Sequence, residues 1–480
     1  MKLPHDEMLQ RFYARDRTAD GEFVTGVLTT GIYCLPSCAA RKPLPENVRF
    51  FAGEDDARQA GLRACRRCRP DDFYRDYDPD LHLLDTLVAE VQRRPADYAD
   101  VERLVVASGV GATKLHALFR RHWHTTPAAF LARERVAAAC ALLRDAAPTT
   151  SEAGFAVGFE SLSAFHEQFR RATGLTPGEY RRLGSQPGFT LALPANFLAS
   201  YTLRMLGRDP ASPTERVFGS EIAKGVMLGD RPAVLRIRID DGSAHCTVHA
   251  DGGIGADEVR EAHRLVLRIL GLGMDPESFE RRIAADPVLA RLVDGRAGLR
   301  VSQTATVFEG LVWSIVGQQV NLAFAYELRR TLAELAGVDA GDGMRALPTP
   351  AAVAALDYDD LTSRRYSRRK AEYVIDTARA VAAGDLAAES FPAMRATAVE
   401  ARLLALRGFG PWSTAYVMMR ACGFGDCVPV GDTGLTSSLQ RFFDTETRPG
   451  PVETRALMEA FAPYRTLATH HLWMTLGSQG

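Results

Sequence analysis

Cys34, Cys38, Cys65 and Cys68 are set as C-x3-C and C-x2-C, with 26 residues between the pairs. Each pair can grip one metal ion from two sides, and together they offer four thiolates, the donor set of tetrahedral zinc. A thiolate on zinc stays ionised at neutral pH and remains a nucleophile, although the spacing alone equally suits a structural zinc knot. Cys140, Cys246, Cys422 and Cys427 are scattered and form no second set. Far downstream, Arg407-Gly408-Phe409-Gly410 stands between two apolar helical stretches. Glycines there let the backbone approach a phosphate, and the N–H groups that open the second stretch favour an anion. Trp412, Tyr416 and then Asp432 follow. Asp432, between Gly431 and Thr433, suits a helix N-cap as well as a carboxylate that does chemistry.

The elements that must position these residues change character along the chain. A length of 480 residues predicts three or four domains. Residues 1–80 read as loop-rich, and 81–183 as helices with glycine-punctuated turns. GSQPG, residues 184–188, reads as a short polar linker. Leu235, Ile237 and Ile239 then alternate with Arg236, Arg238 and Asp240, and DDGS turns the chain into a second strand through Cys246 and Val248. A helix is predicted from about Ala256 to Leu270, stopped by Gly271 and Gly273. From about 286 to 480 the pattern is helical.

The formal net charge is −1, which excludes a global basic signature for nucleic acid. DNA contact must therefore be local. Arg63, Arg66, Arg67 and Arg69 beside the second cysteine pair suit phosphates. No run of 18 apolar residues occurs, and MKLPHDEMLQ has no signal-peptide core. The expectation is a cytoplasmic protein without a membrane partner, in which paired cysteines bind metal rather than form disulfides.

The run ADGEFV…TTGIYC-x-PSC-x-AR…NVRF…C-x2-C-x-P resembles the N-terminal domain of the bacterial adaptive-response regulator Ada. The resemblance implies one zinc ion on Cys34, Cys38, Cys65 and Cys68. It also implies transfer of a methyl group from DNA methylphosphotriesters to Cys34, and the neighbouring Arg63, Arg66 and Arg67 suit the DNA phosphates.

Residues 100–123 read as two helices around a glycine turn, and the pattern recurs about 49 residues on in GFESLSAFHEQFRRATGLTP. Leu104, Ala107, Val110, Leu115, Leu118 and Phe119 would pack the core, while Thr113, Lys114, His116 and Arg120 would face outward. The repeat resembles the tandem helix-turn-helix of AraC-type regulators, whose second helix reads base edges in the major groove. That implies promoter DNA as a partner, with RNA polymerase beyond it, and Lys114, His116 and Arg120 as DNA-binding residues. Ala153 and Gly154 stand where the family carries a bulkier pair, and a glycine in a helix costs about 1 kcal/mol, so a loose second module is expected.

LRGFGPWSTAYVMMRACGFGDCVPVGDTGL resembles the helix-hairpin-helix and catalytic loop of base-excision DNA glycosylases, and the upstream FEGLVWSIVGQQVNLAFA resembles the corresponding helix of AlkA-type enzymes (3-methyladenine DNA glycosylase II). This implies monofunctional excision of N-alkylated purines from double-stranded DNA. Asp432 would be the catalytic carboxylate, with Trp412, Tyr416, Tyr464 and Trp313 as an aromatic cleft. Gln318 and Gln319 would lie at the pocket or probe the DNA, and Gly408 and Gly410 would bind its backbone. Trp412 stands where lyase-competent relatives carry a Schiff-base lysine, so no lyase step through lysine is expected.

The expected fold class is multidomain and mainly α with an α+β segment. A small zinc domain (1–80) precedes a tandem helix-turn-helix (81–183), an α+β domain (188–285) and an all-α helix-hairpin-helix glycosylase domain (286–480). The expected function is alkylation repair coupled to transcription activation on the bacterial nucleoid. The alternative is a repair enzyme whose N-terminal half only tethers it to DNA.

Overall fold

The computed structural model describes residues 3–75, 77–145 and 148–476. Contacts divide the chain into two compact units, one up to Glu90 and one from Val91 onward.

In the first unit, α1 (His5–Ala14) buries Met8 and Phe12 against Phe23 and Phe50. The sheet has the order β3-β1-β2-β4, made of β1 (Val24–Val27), β2 (Ile32–Cys34), β3 (Val48–Phe51) and β4 (Arg63–Ala64). Gly26 is required in β1, because a Cβ there would lie 2.5 Å from Leu62 and 2.6 Å from Phe51. β2 and β4 run parallel, so the chain leaves both strands on the same side, at Cys34 and Cys65. The short helices α2 (Glu54–Gln59) and α3 (Pro70–Tyr74) flank the sheet, and α4 (Pro79–Arg93) carries the chain into the second unit.

The second unit begins with the repeated helical motif. α5 (Val101–Ser108) and α6 (Ala112–Trp123) are joined through Gly109, in the left-handed region at φ 65°. α7 (Pro127–Leu142) leads to the second copy, α8 (Thr150–Ala156) and α9 (Leu162–Thr173), and α10 (Pro177–Arg181) closes it. Side-chain caps start all of these helices but α6: Asp100, Thr126 and Ser161 accept single backbone bonds, and Thr149–Glu152 and Thr176–Glu179 form capping boxes. The expected looseness of the second module is not found. A Cβ on Gly154 would lie 2.6 Å from the Phe165 ring, so the glycine is what lets that ring pack. Ala107 is also corrected: it is exposed, and Ser108 takes the buried position, its hydroxyl bonded to the Val105 carbonyl at 2.7 Å.

An antiparallel sheet follows in the order β5-β9-β8-β7-β6. Its strands are β5 (Gly188–Ala192), β6 (Glu215–Phe218), β7 (Glu221–Leu228), β8 (Arg231–Asp240) and β9 (Ser243–His249). α11 (Ala199–Leu206) precedes β6, and α12 (Ala256–Ile269) covers one face. The segment read as a linker is packed. Gly184 sits where a Cβ would strike the Ala256 Cα at 2.3 Å, and Gly188 already pairs with β9. Phe165, Phe169 and Leu175 of the second helical module share one apolar core with Leu191, Ile237 and Leu265.

The remainder runs through α13 (Pro276–Ile283), α14 (Pro287–Ala290), α15 (Val307–Val316) and α16 (Leu322–Ala336). An unexpected hairpin, β10 (Val338–Gly341) and β11 (Met344–Ala346), then interrupts the segment expected to be all-α. Asp342 and Gly343 both have positive φ, the Asp-Gly signature of a tight hairpin. The hairpin packs Ala340, Met344 and Ala346 on Ala223 and Val234 of the five-stranded sheet. α17 (Pro350–Ala354), α18 (Tyr358–Thr362), α19 (Arg368–Ala382), α20 (Ala396–Leu404), α21 (Pro411–Arg420), α22 (Thr433–Phe443), α23 (Pro451–Met458) and α24 (Arg465–Leu476) complete the chain. No described helix is long and apolar enough to cross a membrane.

Candidate metal centre, DNA-reading helices and base cleft

The sulfurs of Cys34, Cys38, Cys65 and Cys68 all lie within 4.8 Å of one another. Bonds of about 2.3 Å to a tetrahedral zinc ion set sulfurs about 3.8 Å apart, so the donor set fits one such ion. Two features hold the loops that carry it. Asp20 accepts from the Ser37 N–H at 3.0 Å and the Ser37 hydroxyl at 2.6 Å, which fixes the turn between Cys34 and Cys38. Tyr33, Asp71 and Arg58 form a hydrogen-bonded triad that ties β2 to α3.

The four sulfurs are not equivalent. The Leu35 N–H donates to Cys68 at 3.4 Å, the Arg67 N–H donates to Cys65 at 3.4 Å, and the Ala40 amide favours the Cys38 thiolate. Among the described residues no backbone N–H is hydrogen-bonded to the Cys34 sulfur. Exposure ranks them differently, since Cys68 is half-buried and the other three are buried. Arg63, Arg66 and Arg67 are exposed beside this centre.

On α6, Thr113, Lys114 and His116 are exposed. Arg120 is not outward-facing as expected. Its guanidinium lies 5.5 Å from the centre of the Tyr464 ring. The cause is docking of the C-terminal end of α6 onto α20 and the loop after α21. His122 Nδ1 meets the Thr397 hydroxyl at 2.9 Å, and the Asp426 N–H donates to His124 Nδ1 at 3.3 Å. The second copy contributes a further face that its sequence does not single out. On α9, Ser163, His166, Glu167 and Arg170 are exposed.

The base cleft has a volume of about 960 Å³. α21 opens at Gly410, its extended N-cap, and presents Trp412 and Tyr416 to the cleft, stacked with centroids 5.4 Å apart at 28°. Trp313 faces them from α15, against Tyr326 at 5.1 Å. Asp432 is both things its sequence context allows. It caps α22, with Oδ1 accepting from the Leu435 N–H at 2.7 Å, and its carboxylate also faces the cleft. There Trp412 Nε1 donates to Oδ2 and Trp473 Nε1 to Oδ1, each at 2.9 Å.

Gln318 lines the cleft and donates to the Gly408 carbonyl and the Ser413 hydroxyl, each at 2.9 Å. Gln319 is exposed at φ 53°, at the tip of the turn between α15 and α16. The Lys370 ammonium donates to the carbonyls of Ile315, Val316 and Gln318, which pins that turn, and burial lowers its pKa to about 8. Gly408 has φ 90°, and a Cβ there would lie 2.4 Å from the Tyr373 ring.

Tyr464 is outside the cleft, against Phe279 and Arg120. Trp473 takes the role of an additional cleft aromatic. A tryptophan inside the apolar run HHLWMTL carries no local signal of that role. The charged part of the cleft wall is likewise invisible in sequence. Glu215 and Lys224 reach it from the strand pair β6–β7, Glu309 from α15 and Arg329 from α16. Lys224 bonds Glu215 at 2.6 Å and Glu309 at 3.1 Å, and Arg329 bonds them at 2.9 and 2.6 Å. Burial opposes charge on Glu215, but Arg329 and Lys224 hold its pKa well below the usual carboxylate range.

Three families match successive segments. These are the metal-binding domain of Ada over 7–71, a helix-turn-helix domain over 104–183, and the HhH-GPD superfamily of base-excision DNA repair proteins over 312–463. A protein of Mycobacterium tuberculosis (strain H37Rv) called a probable bifunctional transcriptional activator/DNA repair enzyme AlkA is 28% identical, over 98% of this chain and 97% of that one. The bifunctional transcriptional activator/DNA repair enzyme Ada of Escherichia coli K12 is 31% identical, over 48% of this chain and 61% of that one. DNA-3-methyladenine glycosylase 2 of the same bacterium is 30% identical, over 58% of this chain and 94% of that one. Among solved structures, a 3-methyladenine DNA-glycosylase from Archaeoglobus fulgidus superposes with a TM-score of 0.54 at 19% identity, covering 61% of this chain and 99% of that one, which shows a shared fold. The chain thus belongs to the DNA-3-methyladenine glycosylase 2 family, with its glycosylase fused behind an Ada-type metal-binding domain and an AraC-type helix-turn-helix domain.

Proposed function

We propose that the chain repairs alkylated DNA by two chemistries and reports one of them to transcription. The observation that carries the first is Asp432, a carboxylate held by two indole N–H groups at an aromatic cleft. A purine alkylated at N3 or N7 is cationic. Flipped out of the duplex, it is attracted to the π-faces of Trp412, Tyr416 and Trp313. The bond from C1′ to the base nitrogen breaks with its electron pair going to the base, which leaves neutral. Asp432 stabilises the oxocarbenium-like sugar and takes a proton from the water that attacks C1′. The N–H groups at the start of α21, after Gly408 and Gly410, hold a DNA phosphate in this reading, and Gln319, exposed at the turn between α15 and α16, enters the space the base vacates.

In the test, Asp432→Asn is compared with wild type for release of 3-methyladenine from methylated duplex DNA. Release should disappear while DNA binding persists. Undiminished release by the variant would place the chemistry elsewhere.

In the second chemistry, the Cys34 sulfur attacks the methyl carbon of a phosphotriester. The carbon–oxygen bond breaks, and the phosphate departs as a diester anion. Bound zinc keeps the four sulfurs deprotonated. Four thiolates on zinc carry a net charge of about −2, and methylation leaves about −1, which reduces repulsion from DNA. Arg63, Arg66 and Arg67 hold the phosphates. After exposure to DNA bearing methylphosphotriesters, peptide mass analysis should find one added methyl on Cys34. A methyl found only on another of the four cysteines would refute this assignment.

The exposed residues of α6 and α9 favour a regulator over a tether, with promoter DNA as partner and RNA polymerase beyond it. Footprinting with methylated protein should show sequence-specific protection. Its absence in both methylation states would leave only the tether.

A further inference from the structure

Trp412, Tyr416 and Arg420 fall at i, i+4 and i+8 on α21, and all three line the cleft. They form one stripe about 12 Å long at the helical rise. Asp432 is bonded to the Trp412 end of the stripe. A sugar placed against Asp432 therefore puts the attached base on Tyr416, with its far edge toward Arg420.

The charges on the cleft wall beyond Tyr416 are unequally satisfied. Every carboxylate oxygen of Glu215 and Glu309 already accepts a bond. Lys224 and Arg329 occupy both oxygens of Glu215 and Oε1 of Glu309, and the Ala305 N–H occupies Oε2 of Glu309. The carboxylates of that wall are already neutralised by two cations, so they are weak acceptors for an exocyclic amino group. Arg420 is the reverse case. Among the described residues it makes no ion pair, and its Nε is buried without a hydrogen-bond partner. Its charge acts on Tyr201 and Tyr416, which line the same wall. A guanidinium offers only donors and stays protonated, so a ligand that meets Arg420 in the cleft gains from an acceptor and not from a donor.

Resting on the glycosylase reading above, we propose that Arg420 is a specificity-determining residue that selects 6-oxopurines. It donates to the O6 carbonyl of a flipped 7-alkylguanine or hypoxanthine. The 6-amino group of 3-methyladenine meets donors there and gains nothing. Arg420 takes no part in bond cleavage.

The test uses the full-length zinc-loaded protein and duplex DNA treated with a methylating agent, which carries both 7-methylguanine and 3-methyladenine. Both released bases are measured from the same reaction, so their ratio does not depend on how much of a variant is folded. Arg420→Met should lower the ratio of 7-methylguanine to 3-methyladenine release about tenfold or more, the size of a hydrogen bond to a charged donor. Release from a deoxyinosine duplex should fall in parallel. Arg420→Lys, which keeps the charge but loses the fork, should lie between. An unchanged ratio, with both bases falling together, would mean that Arg420 holds a phosphate or the fold, and would overturn the proposal. If wild type released neither base, the glycosylase reading itself would have failed.

Discussion

The indole N–H of Trp473 donates to Oδ1 of Asp432 at 2.9 Å, across 41 residues of chain. The bond fixes which way the carboxylate faces, because Oδ1 also caps α22 and Oδ2 is held by Trp412. Trp473→Phe keeps an aromatic ring at the cleft but removes the donor, along with part of the indole. Single-turnover base release should slow about 10- to 100-fold, as expected for loss of a bond to a charged acceptor, with little change in DNA affinity. A rate within a factor of two of wild type would show that the cap and Trp412 suffice.

Gly408 is constrained twice, by φ 90° and by the Tyr373 ring 2.4 Å from where a Cβ would stand. Gly408→Ala should cost about 2–4 kcal/mol, from backbone strain and overpacking together. It should also weaken duplex binding, since the Gly408 carbonyl holds Gln318. Thermal melts and DNA titrations of the same preparation check both effects.

The second helical module and the five-stranded sheet share a core, so the glycosylase is not separable at residue 184. A fragment beginning at Gln186 exposes Leu191, Phe189 and the packed face of α12, at about 1.5–3 kcal/mol for each large apolar side chain. It should melt at least about 10 °C below the intact second unit, or aggregate. A fragment as stable as the parent would revive the picture of a detachable tether.

His263 bridges that same boundary, its Nε2 2.8 Å from the Thr173 carbonyl, and burial lowers its pKa to about 4. His124, at the dock of α6, is lowered by burial to the same value. In the unfolded chain both titrate near 6.5. Between about 6.5 and 4 the unfolded state binds protons that the folded state refuses, so stability falls as pH drops through that window and is unaffected by these groups above it. Each contributes on the order of 3 kcal/mol by pH 4. Urea melts at pH 7 and pH 5 should differ less for His263→Gln than for wild type.

Chelation should unfold the first unit alone. A structural four-thiolate site supplies about 10–16 kcal/mol of apparent folding energy, as much as the whole net stability of a typical domain, about 5–15 kcal/mol. Circular dichroism should show the loss, while base release by the second unit continues. Joint loss of both would contradict the division of the chain at Glu90.

Chemistry encoded in local spacing is legible in the sequence. The cysteine pairs lie at the ends of parallel strands, and Trp412 and Tyr416 are one turn apart on a single helix, so spacing and geometry coincide. What stays hidden depends on distant segments. Arg120 and Tyr464 look like DNA and base contacts when each is judged by its own segment, yet they face each other. Glu215, Lys224, Glu309 and Arg329 satisfy one another from separate elements, and none has a neighbour in sequence that announces the others. Gly154 misleads because propensity counts what a helix loses, and not what an adjacent ring gains.

The position of Trp473 on α24 bears on the order in which the chain becomes competent during its synthesis. A ribosome that has completed Asp432 has made the carboxylate but not the indole that orients it. The zinc-binding segment, by contrast, is finished once α3 and its Asp71 have emerged. Each nascent molecule should therefore be able to accept a methyl group well before it can excise a base.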